Sequence, residues 1–563
     1  MRPAQARACA FAGSAALAAA ALAACGGGSD SGSGDGDVTW AISSGWESWN
    51  ENTADGNNAY VHQVLMPGAT ALGDFDPDGQ WVYNDALLAK APELTSESPM
   101  TVEYTLNENA QWSDGDPFDA DDFTYIWYQM SGDAEKCDQD ACAPASTDWG
   151  ANVASIESPS EGVVTMTYVD GYIDPEWEFF GLSMYPAHIA EANGFADWKT
   201  DPAQMGGSAT WFAQNAPTWS TGPYTPVDAA VGDYVIYEPN ENYQGSIKGG
   251  LDKLTLKVVE GTEAIITEMR QGSIDGAWPS EFNQEELDKV EGDDAITTEV
   301  YDGSIWMHID TNMKNEFLAD EVLRQAVFTA IDNEDFISRA YPDTEVEARK
   351  NHFFSVNSEF FVDMLGQTEP LQGSGDADAA NAALEAAGYT TGDTLMTPDG
   401  EAVTLNFRYG DGDPTRQLAG ELTQASLAEI GIDVTLQAIP DGQLGPVLSE
   451  GEFDLIIYGW SGTPAFTVAP QQYFGSDSSS NFGGYTLDGL DEAIAKVRST
   501  TDIAEAAQFA NDVAALATPA AFTLPLLDEP QSIVYNNGTL TGVTGNGNSQ
   551  AGPLWNLREW APA

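Results

Sequence analysis

The sequence predicts an α/β protein of more than one domain, on three observations. Residues 251–278 read as strand, helix, strand. FDLIIYGW (453–460) is a short apolar run suited to a buried strand, and it lies between helical patterns. The chain has 563 residues, 42% of them hydrophobic, which is too long for one core and too apolar for general disorder.

The elements follow in order. WAIS (40–43) and VEYTL (102–106) alternate as strands. FDADDFTYIWYQM (118–130) is a helix with Asp119 as N-cap and Asp121 and Asp122 in its first turn. Its buried stripe is Phe123, Ile126, Trp127 and Met130, at helical spacing. LTLKVV alternates, and TEAIITEMRQG follows with Ile265, Ile266 and Met269 on one face, ending at Gly272. Residues 320–340 are expected as one helix with Leu323, Val327, Ala330 and Ile331 inward. Further helices are expected at 381–388, at 416–430, and in two pieces across 490–520. IDVTL (432–436) and FTLPLL (522–527) complete the strands.

Charge narrows the function. With 89 acidic and 20 basic residues the net charge is −69, a surface that repels nucleic acid and anionic membranes. Both a salty habitat and an ordinary low-pI secreted protein fit it. The first residues, MRPAQARACAFAGSAALAAAALAAC, carry Arg2 and Arg7 and then a short Ala/Leu-rich run, the pattern of a signal peptide over 1–24. Leu22-Ala23-Ala24-Cys25 resembles the lipobox of bacterial lipoproteins, which implies cleavage before Cys25 and lipidation of its sulfur. GGGSDSGSGDGD follows, and 25–37 is expected to be a lipidated cysteine with a flexible tether of about 20 Å. Cys137 and Cys142, in CDQDAC, read as a disulfide outside the membrane.

Six landmarks occur in a familiar order. NAQWSDGDPFDADDFTYIW resembles the signature segment of the family 5 solute-binding proteins of ABC importers, the oligopeptide- and dipeptide-binding type. TGPYTPVDAAVGDYVIYEPNENYQG, LDKLTLKVVEGTEAIITEMRQGSIDGAW and DEVLRQAVFTAIDNEDFI resemble its next three landmarks. AALEAAGY and LAEIGIDVTL follow in place, so the likeness covers about 37–563.

The resemblance implies a two-lobed, periplasmic-binding-protein-like α/β fold in three regions with a cleft between lobes. Lobe I would comprise 38–72, 206–304 and 528–563. An inserted subdomain would occupy 73–205, and lobe II 305–527. The chain would cross between lobes near 303–306 and 527–530. The implied function is binding without chemistry: a monomeric, lipid-anchored extracytoplasmic receptor closes on a small ligand, foremost a peptide, and delivers it to ABC permease subunits. A non-peptide solute such as a sugar or modified amino acid stays open. So does a role in cell-envelope assembly through protein contacts.

The residues fit a non-enzyme that needs no cofactor. His62, His188, His308 and His352 are scattered without metalloprotease spacing, and neither a nucleophile elbow nor a phosphate-binding loop occurs. With 89 acids, accidental carboxylate pairs are unavoidable. Candidate ligand contacts are tryptophans beside glycines or at strand ends: Trp46, Trp278, Trp306 and Trp460, with Ser461 and Thr463. In peptide-binding members of the family the place of Thr463 holds an aspartate that pairs with the peptide ammonium. Threonine cannot form that ion pair, so an amine must find another carboxylate, such as Glu47 or Asp477, or the ligand is not a small zwitterionic peptide. Finally, DFDPDGQWVYND (74–85) has the spacing of a calcium loop, offering Asp74, Asp76, Asp78 and Asp85. Pro77 inside it and the strand-like QWVY after it favour a hairpin turn instead, with Asp78-Gly79 at its tip.

Overall fold

The computed structural model describes residues 36–279, 284–290, 292–342, 344–440 and 443–563. The signal segment, Cys25 and nearly all of the tether lie outside these. Among the described residues no helix is long and apolar enough to cross a membrane.

A ten-stranded mixed sheet organises the molecule. Its order is Asp433–Ile439, Thr404–Gly410, Leu455–Ser461, Ile296–Thr311, Thr523–Asn536, Gly276–Ala277, Asp37–Ile42, Lys253–Val258, Tyr234–Pro239 and Tyr224–Ala230. The two long central strands belong to both halves. Ile296–Asp302 pairs with Asn536–Pro530 in one half, and Trp306–Asp310 pairs with Asp528–Thr523 in the other. The ladder is irregular between Asp302 and Trp306, where Gly303 packs against the Glu529 carbonyl. A side chain at Gly303 would meet that oxygen, so the crossing needs a glycine.

Each half has its own core. One gathers Val38, Trp40, Ile42, Leu254, Leu256, Leu554 and Trp560. The other gathers Met307, Leu323, Val327, Phe328, Leu405, Phe407, Leu455 and Leu524. A third core surrounds the four-stranded sheet Glu93–Glu97, Met100–Thr105, Val163–Tyr168, Val153–Ser160 and runs from Leu72 to Trp219. The expected subdomain limit at 205 therefore falls inside the helix Pro202–Gln214, whose Met205, Ala209 and Phe212 belong to this core.

Local expectations hold where caps announce them. Ala120–Met130 starts at Asp119 in a capping box with Asp122. Thr262–Gln271 ends at Gly272 in the left-handed region. The expected single helix over 320–340 is two, Glu321–Ala330 and Asn333–Ala340. Ile331 turns extended, and Asp332 caps the second helix through the Asp335 N–H at 2.9 Å. An acid that can bond its own backbone competes with helix continuation.

Cys137 and Cys142 are disulfide-bonded and buried within the third core. The closed loop is short. Replacing both by serine is expected to lower stability by about 2 kcal/mol, which urea unfolding with and without reductant would measure.

Candidate functional site

A cavity of about 790 Å³ lies at the strand crossing between the halves. Its floor is Trp306, 3% exposed, on the long strand. Trp460 is its direct cross-strand partner. Tyr473, from the helix Ala469–Phe474, covers both, with ring centroids 5.7 Å from Trp306 and 5.1 Å from Trp460. Phe353, Phe354 and Phe360 form one wall. The opposite wall is the hairpin of Gly73–Phe75 and Trp81–Tyr83, with Phe179 beside it.

One buried cation underlies this surface. Arg349 pairs with Asp528, donates to the Asn351 carbonyl at 2.9 Å, and stacks 5.0 Å from the Trp306 ring centre. Burial holds the Asp528 carboxyl above the usual range even against that guanidinium. His352 beside it is pushed down to about 4 by burial and is neutral at physiological pH, bonding the Thr523 carbonyl at 3.1 Å. The other charged lining residues are all acidic: Asp78, Glu178, Asp302 and Glu359. Asp302 bonds Asn357 at 2.7 Å, and burial raises its carboxyl.

The third core leans across the cavity mouth onto the second half. Glu176 accepts from the Phe466 and Thr467 N–H groups at 2.5 and 3.1 Å and from the Thr467 hydroxyl at 2.6 Å. Burial pushes its carboxyl up to about 6. The Trp177 indole reaches the Thr501 carbonyl at 3.4 Å.

Of the residues singled out from the sequence, Trp306 and Thr463 line this cavity. Trp460 lies behind Tyr473, and Ser461 is exposed at the strand end. Trp46 and Trp278 do not reach it. Both sit in the first core, Trp46 edge-on to Trp49 at 5.4 Å. Their glycine neighbours serve close backbone packing: a side chain on Gly45 would press on the Gly232 carbonyl, and one on Gly276 on the Trp40 ring. Glu47 and Asp477, suggested as partners for an amine, do not line it either.

The acidic loop forms a hairpin. Asp76 accepts from the N–H groups of Asp78 and Gln80 at 3.0 and 2.9 Å, and Asp74 from the Ser549 hydroxyl at 2.6 Å. Among the described residues the one set of three acids or histidines placed to share a metal is Asp114, Asp116 and His188, so Asp74, Asp76, Asp78 and Asp85 do not converge on a cage. Gly79 at the tip approaches Pro464 of the second half, at 3.6 Å from an added Cβ.

Sequence reasoning missed Arg349, Tyr473, the Phe353-Phe354 pair and the hairpin's Trp81. Arg349 had left a trace: a basic residue is rare in a chain with 20 of them against 89 acids, and ARKNHFF sets it beside His352 and two phenylalanines.

Comparison with known proteins agrees with this architecture. The family model "Bacterial extracellular solute-binding proteins, family 5 Middle" matches residues 85–482. The oligopeptide-binding protein OppA of Mycobacterium tuberculosis is 26% identical over 495 residues, spanning 86% of this chain and 78% of that protein. The uncharacterized lipoprotein ML0489 of Mycobacterium leprae is 23% identical over 560 residues, 93% of each chain. Among solved structures, the periplasmic EDTA-binding protein EppA superposes with a TM-score of 0.82 at 28% identity, covering 94% of this chain and 96% of that one.

Proposed function

Because the chain belongs to the bacterial extracellular solute-binding proteins of family 5, we propose that it is the capture component of an ABC importer and that its ligand is a peptide. The observation that carries the peptide reading is the cavity. Its volume of about 790 Å³ lies within the ~300–1,000 Å³ range of small-ligand sites. Its walls are aromatic faces, which hold varied side chains. The likeness to an oligopeptide-binding protein over most of both chains supports the same assignment.

A polyanionic ligand such as EDTA, which the structurally similar EppA binds, does not suit this lining. Asp78, Glu178, Asp302 and Glu359 oppose it, and the one arginine is already neutralised by Asp528. Like charges within a low-dielectric cleft repel strongly. The ligand is therefore neutral or cationic, and a net charge of −69 steers cations towards the molecule.

The halves close on the ligand by bending at Asp302–Trp306 and Asp528–Pro530, and the loaded form is handed to the permease. Lobe boundaries follow the crossing: the first lobe ends near 304 and the second near 527. Cys25 tethers the protein to the outer face of the membrane as a lipoprotein, a reading supported by Leu22-Ala23-Ala24-Cys25 and by the full-length likeness to a mycobacterial lipoprotein.

A thermal-shift screen tests the ligand class. Saturating peptides of about two to eight residues are expected to raise Tm by about 2–4 °C, and EDTA or citrate to leave it unchanged. A screen in which the anions stabilise and no peptide does would sink the peptide reading.

A further inference from the structure

A second cavity, about 440 Å³, lies on the far side of the hairpin. Trp81, Phe179, Thr463 and Asn548 line both cavities, so the hairpin and Phe179 form a partition between two adjoining chambers. The walls of the second are mainly apolar, with Leu65, Met66, Phe75, Leu182, Leu554 and Trp555.

Two carboxylates and one imidazole line this chamber: Glu51, Asp74 and His62. His62 Nδ1 lies 3.0 Å from Glu51 Oε2. Burial, the largest single effect, works against its charge, yet the Glu51 carboxylate and hydrogen bond, with Asp74 adding to them, lift His62 to about 9. His62 is thus a cation hydrogen-bonded to Glu51, whose other oxygen accepts from the Ser183 hydroxyl, and one imidazolium faces two carboxylates. Arg558, the remaining cation on the lining, faces Asp85 at 3.5 Å. Asp74 makes no direct ion pair: it shares the His62 imidazolium with Glu51 through space, and burial raises its carboxyl above the usual range. It accepts only from the Phe75 N–H at 2.8 Å and the Ser549 hydroxyl at 2.6 Å, and a carboxylate has room for about two acceptances more. One negative charge is therefore left over inside a largely apolar chamber, where an unpaired charge is costly.

From this geometry we infer that the second chamber binds a primary ammonium group carried on an apolar residue, with Asp74 as its counter-ion and Trp81 and Trp555 as its walls. In a peptide these features meet at the amino end. The ligand then spans both chambers, with Thr463 at their junction. This rests on the peptide reading of the main cavity and adds which end of the peptide goes where.

Calorimetric titration of the full-length protein with Phe-Ala-Ala-Ala and its N-acetylated form tests it. Acetylation is expected to weaken binding by about 30-fold or more in the wild type, the scale of a lost buried charge pair. In Asp74→Asn the two peptides should bind within about threefold of each other. Should Asp74→Asn not fold, Asp74→Ser, which also removes the charge, makes the same comparison. If the acetylated peptide binds as tightly as the free one, or the difference survives in the variant, the chamber inference is overturned while the peptide reading stands. If neither peptide binds, the peptide reading fails, and 2-phenylethylamine against 2-phenylethanol decides the chamber alone. Binding of the amine only supports it; equal binding, or none, overturns it.

Discussion

Arg349→Met is expected to cost about 3–5 kcal/mol of folding stability, because it strands Asp528 as a buried carboxylate without a counter-ion. The loss has further parts. The guanidinium also ties down the Asn351 carbonyl and covers the Trp306 ring, so the cavity floor loosens with it. Urea unfolding monitored by tryptophan fluorescence would show the midpoint fall. The paired replacement Arg349→Met with Asp528→Leu is the sharper measurement. Apolar pairs of similar volume often match a buried ion pair, so the double variant should recover part of the loss. A double variant weaker than the single by a full further increment would show that Asp528 contributes independently of Arg349. Peptide affinity should fall in both, since Arg349, Asp528 and Trp306 all line the main cavity.

Asp122→Ala is expected to destabilise the third core by a similar ~3–5 kcal/mol, summed over three orphaned donors at ~1–3 kcal/mol each with partial relaxation. Its carboxylate, 2% exposed, accepts from the Trp112 indole at 3.1 Å, the Asp119 N–H at 3.1 Å and the Ala187 N–H at 2.9 Å. It thereby joins the signature loop, the helix start and the helix Ala187–Ala192. Asp122→Asn keeps one acceptor oxygen but turns a donor towards a donor, and should fall between wild type and Ala. Thermal unfolding followed by near-ultraviolet circular dichroism would rank the three. A change below about 1 kcal/mol for the alanine variant would mean that water replaces the carboxylate.

These two residues also show what the sequence made legible. Asp122 lay within reach of reading, because a helix start is local: the cap, the acids of the first turn and the apolar stripe fall within a dozen residues. The family likeness rests on the same kind of segment, which explains why a structural signature identified a binding protein without showing its site. The cavity was hidden for the opposite reason. Trp81, Tyr473 and Phe360 come together only through the sheet and the crossing, and nothing local in their neighbourhoods marks them. Of the tryptophans singled out, Trp46 and Trp278 lie away from the cavity, where glycine admits a neighbouring backbone or ring, and Trp306 lines it because that residue lies on the crossing itself. The long strand Ile296–Thr311 escaped notice since its first half is largely polar and half-exposed and is interrupted at Gly303-Ser304. The break at Ile331 was missed because helical periodicity continues through it in register.

The contact between Glu176 and the Phe466-Thr467 backbone has a thermodynamic meaning of its own. Glu176 lines neither chamber, yet its three hydrogen bonds exist only while the segment of the third core that carries it rests on the second half. Every ligand inherits this contribution equally. If the halves close on a ligand as proposed, it acts as a constant offset on that equilibrium: it tightens all complexes together and leaves their ranking to the residues that meet the ligand. The receptor's selectivity and its grip are thus adjustable separately, one by residues that meet the solute and the other by a carboxylate outside both chambers.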